Sequence, residues 1–123
     1  MIPRKLSDVR IMLWLVVYSF EVIENFHIDP RCKKFINSLN LQSGAKVIEY
    51  LDLLTKYGPN LSMPYAKKIS KNLYELRVGG SLKIRLFYAF YKGSVYVLHG
   101  FVKKTNKTPI KELKTAIKRF SSY

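Results

Sequence analysis

Cysteine, histidine and long apolar segments are scarce in this 123-residue chain, and each shortage excludes a class of protein. The single cysteine, Cys32, cannot form an internal disulfide, which favours a reducing compartment. The two histidines, His27 and His99, lie too far apart to give a metal-ligand spacing, so we expect no metal and no other cofactor. The apolar run at residues 11–18 is too short to cross a bilayer and precedes no small-residue cleavage site. We therefore expect a cytoplasmic protein without a membrane segment.

Acidic side chains are also scarce, and their distribution is uneven. The chain has 22 lysines and arginines against 8 aspartates and glutamates, a formal net charge of +14. Residues 65–123 hold fourteen of the basic side chains and only two acidic ones, Glu75 and Glu112. Such an excess of one sign destabilises a compact domain by self-repulsion, which points to a polyanionic partner. The length and a hydrophobic fraction of 48% predict one folded domain rather than a disordered chain.

The first half of the chain predicts one strand and an antiparallel helical hairpin. β-Branched and aromatic residues favour a strand at residues 15–23. Asp29-Pro30 then has the pattern of an N-cap followed by proline at the first helical position, and this helix would run to about residue 39. The second helix would begin near residue 42 and end at Gly58-Pro59.

The second half predicts three antiparallel strands and a final helix. After a loop at residues 60–70, strands are predicted at 73–78, 82–91 and 95–102, joined by tight glycine-containing turns. Thr108-Pro109 repeats the cap-and-proline pattern and starts a helix whose inner face would hold Leu113, Ile117 and Phe120. The resulting order, β-α-α-β-β-β-α, separates strands from helices and predicts an α+β fold.

Strand alternation brings the first candidate residues together. In the first two strands of the meander, one apolar face should pack on the helical hairpin: Tyr74, Leu76, Val78, Leu82, Ile84, Leu86, Tyr88 and Phe90. The opposite face carries Arg77 and Arg85 near the turn that joins the two strands. In the third strand, alternation places Val97, His99 and Phe101 on one face, and neither face is clearly polar, as in a central strand covered on both sides.

These side chains suit the cleavage of RNA by its own 2′-hydroxyl. That reaction needs a base for the hydroxyl, stabilisation of the charge on the phosphorane, and an acid for the leaving 5′-oxygen. Arginine suits the second task because its planar fork binds phosphate oxygens in pairs and stays charged. Lysine can transfer a proton only if its pKa falls well below about 10.4, whereas His99 needs no such shift. The structural alternatives are ion pairs of Arg77 and Arg85 with Glu75, and a hydrogen-bonded core histidine.

Several short sequence motifs resemble those of a known family. Three stretches are similar to motifs of phage-derived RelE/HigB-type toxins of the RelE/ParE superfamily. They are Leu73-Tyr74-Glu75-Leu76-Arg77, Ile84-Arg85-Leu86-Phe87-Tyr88 and the segment from Leu98 to Pro109. Tyr57-Gly58-Pro59 and Met63-Pro64-Tyr65 match a loop of the same family. The resemblance covers about residues 16–123, so we expect a toxin domain at 14–123 preceded by an N-terminal extension at 1–13.

The resemblance implies a RelE-like fold, with an antiparallel sheet packed on a helical hairpin, and the toxin of a type II toxin–antitoxin system. It implies a ribosome-dependent mRNA endoribonuclease whose partners are the ribosome, mRNA and a helix-turn-helix antitoxin. The candidate catalytic residues are Arg77, Arg85, Lys103 and Lys104, which follow from the resemblance, and His99, which follows from its chemistry. The candidate RNA-binding residues are Lys83, Lys107, Lys111, Lys114 and Lys118.

Two positions depart from the best-studied RelE branch. Glu75 stands where that branch carries a lysine, and Ile110 aligns roughly with its C-terminal tyrosine. Both departures favour a rival hypothesis, a non-catalytic nucleic-acid-binding module on the same scaffold. A second rival is an inhibitor of DNA gyrase, because related folds include gyrase poisons. The sequence therefore predicts a fold and a substrate class more directly than it predicts an acid and a base.

Overall fold

The computed structural model describes residues 26–123. Along the chain these residues form β1 (Phe26–Ile28), α1 (Pro30–Ser38), α2 (Leu41–Tyr57), a 3₁₀ turn (Gly58–Asn60), β2 (Ala66–Ser70), β3 (Leu73–Val78), β4 (Ile84–Tyr91), β5 (Ser94–Val102) and α3 (Ile110–Phe120). The fold is α+β, as predicted. The strand predicted at 15–23 and the domain boundary predicted at residue 14 lie outside the described residues.

One five-stranded sheet has the order β1-β5-β4-β3-β2. Strands β2 to β5 pair with their neighbours in antiparallel fashion, and β1 pairs with β5 in parallel. The predicted meander of three strands is confirmed. The loop predicted at residues 60–70 is wrong in its second half, which forms β2. This strand lies at the sheet edge, where exposed lysines such as Lys67 are common because charge discourages pairing with another chain.

The predicted helix boundaries are largely confirmed by their caps. The Asp29 carboxylate accepts the Arg31 backbone N–H at 2.9 Å, and the Asn40 side chain accepts the Ser43 backbone N–H at 2.8 Å. Gly58, with φ of 51°, ends α2 in the left-handed region that glycine tolerates. The predicted start of α3 is displaced: the helix begins at Ile110, and the Thr108 hydroxyl bonds to a side chain of the sheet instead of capping it.

The sheet separates two hydrophobic cores. The helix-pair core lies between the sheet and α1 and α2, and contains the apolar face predicted for β3 and β4. The α3 core lies on the other side and includes Leu73, Phe87, Leu98 and Phe101. The prediction that Ile117 faces inward is wrong: Ile117 is 53% exposed and Ala116 is fully buried. Leu113, Ala116 and Phe120 share one helical face, since they recur at spacings of three and four.

A register shift in β5 changes the faces predicted for that strand. Val97 pairs with Tyr88 and His99 pairs with Phe87, so Leu98 is an extra residue in β5. Val97 therefore lies in the helix-pair core, whereas Phe101 lies in the α3 core. Simple alternation had placed both on one face, and the β-bulge is the physical reason for the difference. Both sides of β5 are covered, as predicted.

Asp29 joins α1, β5 and the segment after α3. Its backbone N–H donates to the Val97 carbonyl at 2.8 Å, and its carboxylate accepts the Arg31 guanidinium at 2.9 and 2.7 Å. The Tyr123 hydroxyl donates to the same carboxylate at 2.8 Å. These bonds, that with Arg31 foremost, hold the pKa of Asp29 well below its ordinary value. No helix within residues 26–123 has the length and apolar character needed to span a membrane.

Gly100 is a position where the packing leaves no room for a side chain. A Cβ atom there would lie 2.5 Å from Leu86 Cδ2 and 2.5 Å from Phe35 Cδ2, whereas a Cβ at Gly79 would meet nothing within 4 Å. We expect Gly100→Ala to lower the free energy of unfolding by about 1–3 kcal/mol, since overpacking forces side chains off their rotamers. Gly79→Ala should change it by less than about 0.5 kcal/mol. Urea denaturation measures both; equal effects would contradict the packing described.

Candidate functional site

Arg77 and Arg85 lie directly opposite each other on β3 and β4, as the alternation predicted. Between them lies Glu75, whose Oε1 is 3.8 Å from Arg77 Nε and 3.9 Å from Arg85 Nε. Glu75 is 3% exposed and Arg85 7%, so two of the three charges are buried. The sequence left open whether the two arginines form ion pairs with Glu75 or a pair of cations for phosphate. The arrangement contains both, since each arginine is near Glu75 and the two arginines lie opposite each other. It carries one net positive charge.

Each guanidinium of this cluster is held at a second point. Arg77 Nη1 lies 3.3 Å from Met63 Sδ, and Arg85 Nη1 donates to the Ile84 carbonyl at 3.0 Å. Arg85 Nε is buried and makes no hydrogen bond with any residue that the structure describes. Burial lowers the pKa of Arg85, an effect that Glu75 opposes and Arg77 reinforces. A cation in this position is stabilised by an additional anion, and phosphate fits because guanidinium binds it in a fork geometry.

The predicted lysines follow two patterns. The Lys103 backbone N–H donates to the Lys83 carbonyl at 2.7 Å, which brings both residues to the end of the sheet where β4 begins, beside Arg85. Lys104 and Lys107 are exposed in the segment between β5 and α3. Within this segment, the Thr105 hydroxyl donates to the Lys107 carbonyl at 2.6 Å.

Among the described residues, one hydrogen bond joins this lysine segment to the arginine cluster. The Thr108 hydroxyl donates to Glu75 Oε2 at 3.2 Å. The segment 103–108 is thus anchored at its start by the Lys83 carbonyl and at its end by Glu75. Sequence reasoning assigned Thr108 to a helix cap, so this contact was missed.

His99 occupies a separate position in the α3 core. Its Nε2 lies 3.3 Å from Glu112 Oε2, and its Nδ1 lies 3.1 Å from Arg119 Nη1. Because arginine has no acceptor, Nδ1 must accept and Nε2–H must donate to Glu112. Burial lowers the pKa of His99, with Glu112 acting against this change and Arg119 with it. Both ring nitrogens have partners in α3, which favours a role in joining β5 to α3 over proton transfer.

Three predicted RNA-binding lysines form a row on α3. Lys111, Lys114 and Lys118 are all exposed and recur at helical spacing, so they lie along one solvent-facing side. Within residues 26–123, no hydrogen bond or ion pair joins these lysines to the arginine cluster. This row can contact a polyanion without taking part in chemistry at Arg77 and Arg85.

Lys67 is a candidate that sequence reasoning missed. It pairs with Glu75 across β2 and β3, and directly opposed residues of antiparallel strands point to the same face. Lys67 is exposed, so it extends the basic surface of the arginine cluster by one strand. Its neighbour Lys68 points to the other face, with Nζ 6.0 Å from the ring centre of Tyr74. Recognition of β2 as a strand would have separated these two lysines.

Comparison with known protein families finds a match over most of the chain. The model of a family described as "Phage derived protein Gp49-like (DUF891)" matches residues 34–121, which include every candidate residue of the site. No curated protein matches the chain. Within residues 26–123, no three histidine, cysteine, aspartate or glutamate side chains are grouped so that they could hold a metal ion.

The lowered pKa of His99 predicts a pH-dependent stability. In the unfolded chain His99 takes up a proton near pH 6.5, whereas in the folded protein its pKa is lower. Its contribution to stability is therefore fully present above pH 6.5 and is lost as the pH falls from there through the lower pKa of the folded state. From pH 7.5 to 5.5 we expect the free energy of unfolding to fall, by at most about 1.4 kcal/mol per pH unit. His99→Gln should remove this slope and His27→Gln should keep it. Denaturation at several pH values would contradict the assignment if His99→Gln kept the slope.

Proposed function

This chain belongs to the Gp49-like family of phage-derived proteins, a family of RelE-like toxins, and we propose that it cleaves mRNA on the ribosome as the toxin of a type II toxin–antitoxin system. A toxin of this kind implies an antitoxin partner. Our proposal adds that the antitoxin is a helix-turn-helix protein, that the ribosome and mRNA are the other partners, and that the protein acts in the cytoplasm. The observation that carries the proposal is the pair of arginines, Arg77 and Arg85, opposed on neighbouring strands beside a lysine-rich segment.

The proposed reaction uses the RNA's own nucleophile. The 2′-oxygen attacks the adjacent phosphorus as its proton leaves, and the bond from phosphorus to the 5′-oxygen breaks as that oxygen gains a proton. The products are a 2′,3′-cyclic phosphate and a 5′-hydroxyl. Arg85 and Arg77 would bind the non-bridging oxygens, where negative charge grows in the transition state, and this is where preorganised donors contribute most.

Proton transfer would fall to the lysine segment. Lys103 is half-buried beside Lys83, and Lys104 is exposed, so both can approach a phosphate held by the arginines. Each would serve in proton transfer or in electrostatic stabilisation of the leaving oxygen. His99, which already has partners on both ring nitrogens, would support the site by holding α3 against β5.

The remaining lysines would bind RNA without regard to sequence. Lys83 and Lys107 flank the site, and Lys111, Lys114 and Lys118 form the row on α3. Such contacts release counterions from the phosphate backbone and make binding depend on salt concentration. This surface suits ribosomal RNA around a decoding site, where affinity without sequence preference is sufficient.

Growth of a host cell under inducible expression tests the proposed activity. We expect growth arrest and new mRNA 5′ ends within translated regions, mapped by primer extension. Arg85→Lys keeps the charge but loses the fork, and should reduce cleavage on the order of a hundredfold, because it removes a donor that acts in the transition state. Lys34→Gln, which removes an exposed charge from α1 on the opposite side of the sheet, should leave cleavage unchanged.

The same experiment distinguishes the rival functions. Growth arrest with damaged DNA and intact mRNA would indicate a gyrase inhibitor. RNA binding without new mRNA ends would indicate a non-catalytic binding module. Either result would contradict the proposed cleavage, as would cleavage that Arg85→Lys and Lys34→Gln reduce equally.

Lys67 and Lys68 provide a matched pair for the RNA-binding surface. Lys67 points to the face that carries Glu75, whereas Lys68 lies over Tyr74 on the other face. Lys67→Gln should weaken binding to RNA and lower the slope of log affinity against log salt concentration by about one, the value for one lost phosphate contact. Lys68→Gln should not alter the slope. Salt titrations with a fluorescent RNA measure both, and equal slopes for the two variants would contradict the proposed surface.

A further inference from the structure

We propose that Glu75 is a positioning residue, whose buried carboxylate orients Arg77 and Arg85 toward the phosphate and, through Thr108, holds the lysine segment beside them. This inference rests on the proposed function, because the phosphate is that of the RNA substrate. It concerns a carboxylate that is buried beside both arginines of the proposed site. A carboxylate in that place would oppose phosphate binding unless it served the groups that bind it.

The burial of Glu75 is offset by two neighbouring charges and one hydrogen bond. A buried carboxylate is costly unless charged and hydrogen-bonding groups surround it. Glu75 has two guanidinium nitrogens within 4 Å of Oε1 and the Thr108 hydroxyl at 3.2 Å from Oε2. Oε2 accepts a hydrogen bond, and Oε1 faces two guanidinium groups at ion-pair distance. A general base has to reach the proton that it removes, whereas these contacts direct Glu75 toward the arginines and Thr108.

The contacts also fix the direction of each guanidinium. Arg77 uses Nε toward Glu75 and Nη1 toward Met63, and Arg85 uses Nε toward Glu75 and Nη1 toward the Ile84 carbonyl. Within residues 26–123, neither Nη2 group makes a hydrogen bond. Because Nε faces Glu75 and Nη1 has another partner, Nη2 of each arginine is the amino group that we expect to bind a phosphate oxygen.

Thr108 connects Glu75 to the lysine segment as well. Its hydroxyl connects Glu75 to the residue before Pro109, where the lysine segment ends and α3 approaches. The other end of the segment is fixed by the Lys103 N–H to the Lys83 carbonyl. One carboxylate thus links the groups proposed to stabilise charge with those proposed to move protons.

Glu75→Gln tests the inference, since it keeps the shape of the side chain and removes its charge. We expect single-turnover cleavage of ribosome-bound mRNA to fall on the order of a hundredfold, which is typical of misplaced catalytic groups. The shape of the pH–rate profile should not change, and the ¹⁵N resonances of Arg77 Nε and Arg85 Nε should both shift. Glu49→Gln, an exposed carboxylate on α2, is the charge-matched control and should change none of these.

A second pair of variants covers the possibility that Glu75→Gln does not fold. Thr108→Val removes the hydroxyl and keeps all charges, and it should slow cleavage by about tenfold while amide exchange in residues 103–107 becomes faster. Thr115→Val, which removes a hydroxyl that donates to the Lys111 carbonyl on α3, is its control. Equal rates for Thr108→Val and Thr115→Val would overturn the link to the lysine segment.

Two outcomes would overturn the assignment of Glu75 itself. Loss of the acidic limb of the pH–rate profile would make Glu75 the general base. Unchanged cleavage together with unchanged arginine resonances would deny it any positioning role. Failure of the proposed function would be recognised differently, because the unmodified protein would not cleave mRNA at all. The arginine resonances would still report whether Glu75 positions Arg77 and Arg85.

Discussion

The burial of one carboxylate between two guanidinium groups is the interaction on which the candidate site depends. Without Glu75, Arg85 would be a buried cation opposite a second cation, an arrangement that is costly in a low-dielectric environment. With it, the three groups form a unit that remains one positive charge in excess. A phosphate group would complete this balance, so a buried carboxylate is compatible with the proposed binding of RNA.

The two faces of the sheet serve different purposes. The helix-pair core supplies most of the buried apolar side chains, and Arg77, Arg85 and Lys67 lie on the opposite face of the sheet. There Glu112 and Arg119 of α3 contact His99 of β5. The hydroxyl of Tyr123, which follows α3, donates to Asp29. These polar contacts fix the helix that follows the lysine segment, so the proposed site adjoins contacts that stabilise the fold.

Much of this fold could be predicted from local signals. Asp29-Pro30, Gly58-Pro59 and the alternation in β3 and β4 specified caps, helix ends and the shared face of Arg77 and Arg85. Lys67 was missed because β2 is an edge strand whose lysines read as a loop, and Phe101 was misplaced because nothing local signals the bulge at Leu98. The bond between Thr108 and Glu75 spans 33 residues, and the ion pairs of Glu75 depend on register, so no sequence window contains them.

The central claim is that the Arg77–Glu75–Arg85 unit binds the phosphate at which RNA is cleaved by its own 2′-hydroxyl. The most direct measurement uses purified ribosomes carrying a 5′-labelled mRNA and determines the chemistry of the new ends. We predict a 2′,3′-cyclic phosphate on the upstream fragment and a 5′-hydroxyl on the downstream one. A 3′-hydroxyl paired with a 5′-phosphate, or no fragment at all, would contradict the account.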